Sequence, residues 1–167
     1  MSTKLLLSVT LLVLLLASCA TRDDRAAQRN KELVLRYFDQ WVNRSDPAAV
    51  NRLIATNLVL RNPPYVFRSL EEYQTRMAAF HAAFPDARYT IEEQIAEADK
   101  VAVRWTLRGT QSGDYQGQPA SRKKIAVTGI SLLRIAEGQI QEITVNMDRL
   151  GLMEQLGWQL VPPSPAR

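Results

Sequence analysis

The sequence predicts an α+β domain, a curved antiparallel sheet wrapped around N-terminal helices to form a cone. Three observations carry this. Apolar residues recur at helical spacing through the first half of the chain, then switch to a period of two after Pro85. The helical and strand-like stretches are segregated, which favours α+β over a doubly wound sheet. Residues 19–167, the part left once the leader described below is set aside, can bury one core but not comfortably two.

Each element has a local cause. Asp23 and Asp24 suit the positive end of a first helix, in which Leu33, Val34, Tyr37, Phe38 and Trp41 form an apolar stripe running to about Arg44. Asp46-Pro47 opens a second, short helix carrying Ala49, Val50, Leu53 and Ile54. A strand over 58–60 precedes the Asn62-Pro63-Pro64 break. Ser69 and Glu72 read as a capping box for a helix that buries Leu70, Tyr73, Met77, Phe80 and Phe84 and stops before Pro85. Strands follow over 88–97, 101–111, 122–136 and 139–147, with tight connections at Ala98-Asp99-Lys100 and Glu137-Gly138. A last short helix carries Leu150, Leu152, Met153 and Leu156. A cone of this kind has one mouth, a natural place for a small molecule.

Lys4 and the thirteen mostly apolar residues Leu5–Ala17 lead to Leu16-Ala17-Ser18-Cys19. Thirteen helical residues reach about 20 Å, short of the roughly 30 Å of a bilayer core, so the stretch reads as a signal rather than a span. It resembles a bacterial lipoprotein signal with its lipobox. That resemblance implies removal of residues 1–18, lipid on Cys19, a tether over 19–27, a domain over 28–158 and a flexible tail over 159–167. It also implies stable membrane anchoring. Ala20 after Cys19 favours the outer membrane of a two-membrane envelope, facing the periplasm.

The net charge of +4, falling to +3 once Lys4 is removed, is modest, and no basic stripe interleaved with aromatics points to nucleic acid. Arg122-Lys123-Lys124 is the one dense basic run and reads as a solvated strand start, with contact to anionic lipid headgroups as the alternative. A single cysteine gives no disulfide framework. One histidine, His81, and one cysteine make a poor metal set, and His81 lies on a helix flank. Gly109, Gly113 and Gly117 lack the Gly-Lys-Ser/Thr ending of a phosphate loop and fit bulges and a turn instead.

Three stretches carry a family resemblance: Ala83-Phe84-Pro85-Asp86, Val101 to Gly117 (VAVRWTLRGTQSGDYQG) and Arg134 to Gly157 (RIAEGQIQEITVNMDRLGLMEQLG). With the helical half they are similar to the SnoaL-like polyketide cyclases, or ester cyclases, of the ketosteroid-isomerase-like, nuclear-transport-factor-2-like fold, over residues 28–158. The resemblance implies Asp148 as general acid/base of an intramolecular aldol condensation that needs no metal or organic cofactor. The chain departs from the family pattern in several places. Thr144 stands where many relatives have tryptophan, and Arg61 and Gln111 stand where many have histidine. Pro119-Ala120-Ser121 replaces a Pro-Thr-Gly turn. Guanidinium cannot act as a base there, so Arg61 would bind a carboxylate or enolate oxygen.

The candidate site is therefore Asp148 as the catalytic group with Arg61, Asn62, Arg104, Thr144 and Asn146 as substrate contacts. Strand parity puts Glu142, Thr144 and Asn146 on one face, either solvent or a polar pocket. Asp148 could equally cap the last helix, Asn62 shape a turn and Arg104 pair with an acid on a neighbouring strand. Three functions stay open: a lipid-anchored domain binding an apolar or amphipathic small molecule, a cyclase or isomerase acting through Asp148, and an envelope module whose sheet face docks a partner or a second copy.

Overall fold

The computed structural model describes residues 24–159. The leader, the lipobox at Cys19 and the proline-rich tail from Val161 lie outside the described residues.

Helix α1 covers 24–42: residues 24–36 are α-helical, and Tyr37–Val42 widens into a π-helical turn. The wider turn is closed by the Asn43 N–H, which donates to the Phe38 carbonyl at 2.9 Å, and it buries Tyr37, Phe38, Trp41 and Val42 together. Asn43 then fixes the helix end to the sheet. Its side-chain amide donates to the Tyr89 carbonyl at 3.0 Å and accepts from the Tyr89 N–H at 2.8 Å, as a strand neighbour would.

Helix α2 (Pro47–Leu53) starts as expected, with Asp46 accepting from the Ala48 N–H at 2.9 Å. It ends one residue early, because Ile54 is already extended and opens strand β1 (Ile54–Asn62), much longer than the 58–60 stretch anticipated. Strand β2 (Tyr65–Phe67) was not anticipated, because three residues show no readable period. Helix α3 (Leu70–Ala83) begins at Ser69, whose hydroxyl accepts from the Glu72 N–H at 3.1 Å. Glu72 reaches back to the Arg68 N–H at 2.7 Å, one residue before the cap. Strands β3 (Arg88–Glu97), β4 (Lys100–Thr110), β5 (Lys124–Ala136) and β6 (Gln139–Met147) and helix α4 (Arg149–Leu156) follow close to their predicted places.

The six strands form one sheet in the order β2-β1-β6-β5-β4-β3. The meander β3–β6 is antiparallel as expected, but β1 lies parallel to β6. This parallel pair brings Arg61 beside Thr144 and joins the helical half to the last strand. The inner face carries Val101, Val103, Trp105 and Leu107 of β4 and Ile125, Val127, Leu133 and Ile135 of β5, all buried in one core with apolar residues of α1, α3 and α4. Each such side chain contributes roughly 1.5–3 kcal/mol of burial. No helix among the described residues is long and apolar enough to cross a membrane.

Candidate functional site

A cavity of about 100 Å³ opens between the inner face of the sheet and helices α1 and α3. The π turn supplies Tyr37, Phe38 and Val42; β1 and β6 supply Leu60, Val145 and Met147; β4 supplies Trp105 and Leu107. Its polar groups are few. The Tyr37 and Tyr73 hydroxyls meet at 2.6 Å, and the Trp105 indole N–H donates to the Ser131 hydroxyl at 2.9 Å. The Trp41 indole N–H faces the Tyr73 hydroxyl but falls short of hydrogen-bond geometry. Burial raises the Tyr37 phenol well above its ordinary range, with the neighbouring Tyr73 adding to the effect. Burial also pushes Tyr73 up to about 12 and raises Tyr89. Near neutrality these phenols are therefore uncharged hydrogen-bonding groups, not bases.

Arg76 and Arg149 border the cavity from α3 and the start of α4. The Arg76 guanidinium carbon lies 5.2 Å from the Tyr65 ring centre and 5.9 Å from that of Tyr115, and that of Arg149 lies 5.3 Å from Tyr65. Arg149 also donates to the Asn62 side-chain carbonyl at 3.2 Å. Among the described residues, the cavity lining holds no carboxylate and no imidazole.

Of the residues singled out from sequence, only Asn62 lines this cavity. Arg104, Asn146 and Asp148 gather instead around a shallow hollow on the outer face of the sheet, with Thr128 and Ile130. Asp148 is exposed and caps α4, accepting from the Gly151 N–H at 2.8 Å. Arg104 pairs with Glu93 at 3.5 Å. Arg61 is exposed and pairs with Glu142 at 3.1 Å, and Thr144 is exposed on the same outer face. The physical reason is parity: Ile143, Val145 and Met147 turn their apolar side chains inward, which sends Glu142, Thr144 and Asn146 out. The same rule separates Trp105, which faces in, from Arg104 beside it.

Gln111 is buried but fully engaged. Its amide donates to the Gly113 and Pro119 carbonyls at 3.2 Å, and its carbonyl accepts from the Ser121 hydroxyl at 2.6 Å. It organises the β4–β5 loop rather than facing a ligand. That loop docks on α3, where Ser112 and Gly113 donate to the Ala83 carbonyl at 2.8 and 3.1 Å, so a side chain at 113 would strike the Ala82 carbonyl. His81 packs against Phe80 on the flank of α3, outside the lining. Among the described residues, no group of three His, Cys, Asp or Glu side chains could hold a metal ion.

Sequence reasoning missed Arg76, Arg149, Tyr65 and Tyr89 as cavity residues. Tyr37 and Tyr73 were legible only as members of apolar stripes, because periodicity cannot distinguish a core position from a cavity wall.

Residues 31–156 match the family model for SnoaL-like polyketide cyclase. No functionally curated protein matches the chain. Among solved structures, a candidate SnoaL-like polyketide cyclase from Jannaschia sp. CCS1 superposes with a TM-score of 0.73 at 26% identity, covering 82% of this chain and 95% of that one. TsrD from Streptomyces laurentii gives a TM-score of 0.66 at 29% identity, covering 80% and 96%. IdmH, a candidate polyketide cyclase from Streptomyces antibioticus, gives a TM-score of 0.69 at 25% identity, covering 77% and 99%.

Proposed function

We propose, since this chain belongs to the SnoaL-like polyketide cyclase family, that its cone binds an apolar or amphipathic small molecule, without requiring turnover. The observation that carries this reading is the character of the cavity: apolar walls, a few neutral phenols and no lining carboxylate or imidazole among the described residues. Such a wall binds by excluding water and orients a ligand through a handful of polar contacts. The test is a thermal-shift screen against small apolar compounds, repeated with Val145→Phe to fill the cavity. Hits that raise Tm in the wild type and lose their effect in the variant support the reading; hits that persist in the variant would place binding elsewhere.

The Leu16-Ala17-Ser18-Cys19 segment supports an envelope location with lipid on Cys19. Mass spectrometry of the chain extracted from membranes tests this: an N-terminal lipidated Cys19 is expected, and an unmodified thiol would overturn it.

The hollow that gathers Asp148, Arg104 and Asn146 favours a second reading, an acid/base reaction at the open sheet face. Asp148→Asn keeps the shape and removes the base; undiminished turnover of an identified substrate would exclude it. The same face exposes Ile95 (64%), Ile130 (54%) and Leu132 (44%), which supports pairing of two copies through the sheet. Sedimentation should then give a dimer that Ile130→Glu dissociates, and a wild-type monomer would refute it.

A further inference from the structure

Among the described arginines, all but Arg76, Arg134 and Arg149 are exposed. Arg134 has a carboxylate partner, Glu142, at 2.8 Å. Arg76 and Arg149 have none among the described residues, although both are partly withdrawn from water at the edge of an apolar cavity. A half-desolvated guanidinium without a counter-ion is costly, and aromatic stacking recovers only part of that cost. Both cations nevertheless lean on the same ring, Tyr65, at 5.2 and 5.3 Å. They are held there from different elements, Arg76 by α3 and Arg149 by the start of α4. Asn62, on the adjoining strand β1, accepts from Arg149 through its side-chain carbonyl, which orients that guanidinium. Two charges held in place by aromatic faces and one amide are a prepared receptor for an anion.

From this we infer that the ligand is an amphipathic anion, its carboxylate or phosphate head held by Arg76 and Arg149 beside Tyr65 and its apolar body lying in the cone. The inference rests on the cavity-binding reading above and adds the charge of the ligand to it. It also assigns a role to the arginines that is independent of Asp148. The head group meets guanidinium donors where water is already thinned, and charge-assisted bonds there are stronger than at an open surface.

The test is calorimetric titration of the purified full chain with three probes of matched body: 4-propylbenzoate, 4-propylphenyl phosphate and uncharged 4-propylbenzyl alcohol. At least one anion should bind about tenfold more tightly than the alcohol, and the better of the two identifies the head. In the Arg76→Gln/Arg149→Gln double variant this margin should vanish while the alcohol still binds. Arg76→Lys and Arg149→Lys keep the charge and should retain part of the margin, which guards against a variant that merely misfolds. If the alcohol binds and neither anion gains on it, or if the double variant keeps the margin, the anion inference is overturned and the cavity reading survives. If no probe binds, both are overturned.

Discussion

The indole of Trp105 lies across the backbone of Gly129, its cross-strand partner on β5, and reaches past it to the Ser131 hydroxyl at 2.9 Å. A β-carbon at 129 would overlap the outer carbons of the ring. The ring cannot swing away easily, since Tyr89 packs edge-on against it at 5.1 Å. Gly129→Ala should therefore overpack the cavity wall at a cost of about 1–3 kcal/mol. Urea denaturation should show the lower midpoint, and the tryptophan emission should shift as the indole leaves its hydrogen bond. An unchanged midpoint and spectrum would mean that the strands relax freely here.

The Tyr37–Tyr73 pair makes a second, coupled prediction. Both phenols are buried and their hydroxyls meet at 2.6 Å, so removing one leaves the other without its short partner. Tyr37→Phe and Tyr73→Phe should each cost about 1–3 kcal/mol. The double variant should cost clearly less than the two together, because the second change removes a group that the first has already orphaned. A double-mutant cycle by chemical denaturation measures this, and strict additivity would show that the pair is not energetically coupled.

Asp148 and Gly151 form a helix cap, and a side chain at 151 would collide with the Asp148 carboxylate. Asp148→Ala should lower stability by about 1 kcal/mol, and Asp148→Asn by much less, because asparagine caps nearly as well. Neither should change affinity for a ligand in the cone, since Asp148 lies outside its lining. Weakened binding in the Asp148→Asn variant would reconnect this carboxylate to the cavity.

The architecture was more legible than the site. The four meander strands and three of the helix starts have local signals, such as Asp46 before Pro47, Ser69 before Glu72 and the period change after Pro85. The π turn at Tyr37–Val42 and the parallel β1–β6 pair have none. The first depends on how four bulky side chains share one core, and the second joins strands about 80 residues apart. The cavity was hard to read for a related reason. Strand parity sets Thr144 and Asn146 on one face of β6 and the family resemblance adds Asp148 just beyond it, yet alternation places the apolar set Ile143, Val145 and Met147 inside. The cavity is recognised by what a ligand would displace, and Arg76 and Arg149 become informative only when α3 and α4 converge on Tyr65.

Two carboxylates, exposed Asp86 and half-buried Glu142, set an expectation for acid. Asp86 accepts from the Thr110 N–H at 2.6 Å and from its hydroxyl at 2.8 Å, and these bonds hold its pKa below the ordinary 3.8. Glu142 lies between Arg134 at 2.8 Å and Arg61 at 3.1 Å, whose hydrogen bonds hold its pKa below the ordinary 4.5. Above those ordinary values both groups are ionised folded and unfolded, and their stabilisation is complete. As the pH falls past 4.5 and then 3.8, the unfolded chain takes up protons that the folded chain still refuses, so stability drops until the lowered folded values are passed. Both groups are solvent-screened, so the loss should be modest, and added salt should reduce the Glu142 share. Thermal melts from pH 7 downwards should show Tm falling through this window in the wild type. The Asp86→Asn/Glu142→Gln variant should melt lower at pH 7 but fall less steeply below pH 4.5. Parallel acid slopes for the two proteins would assign the acid sensitivity to other groups.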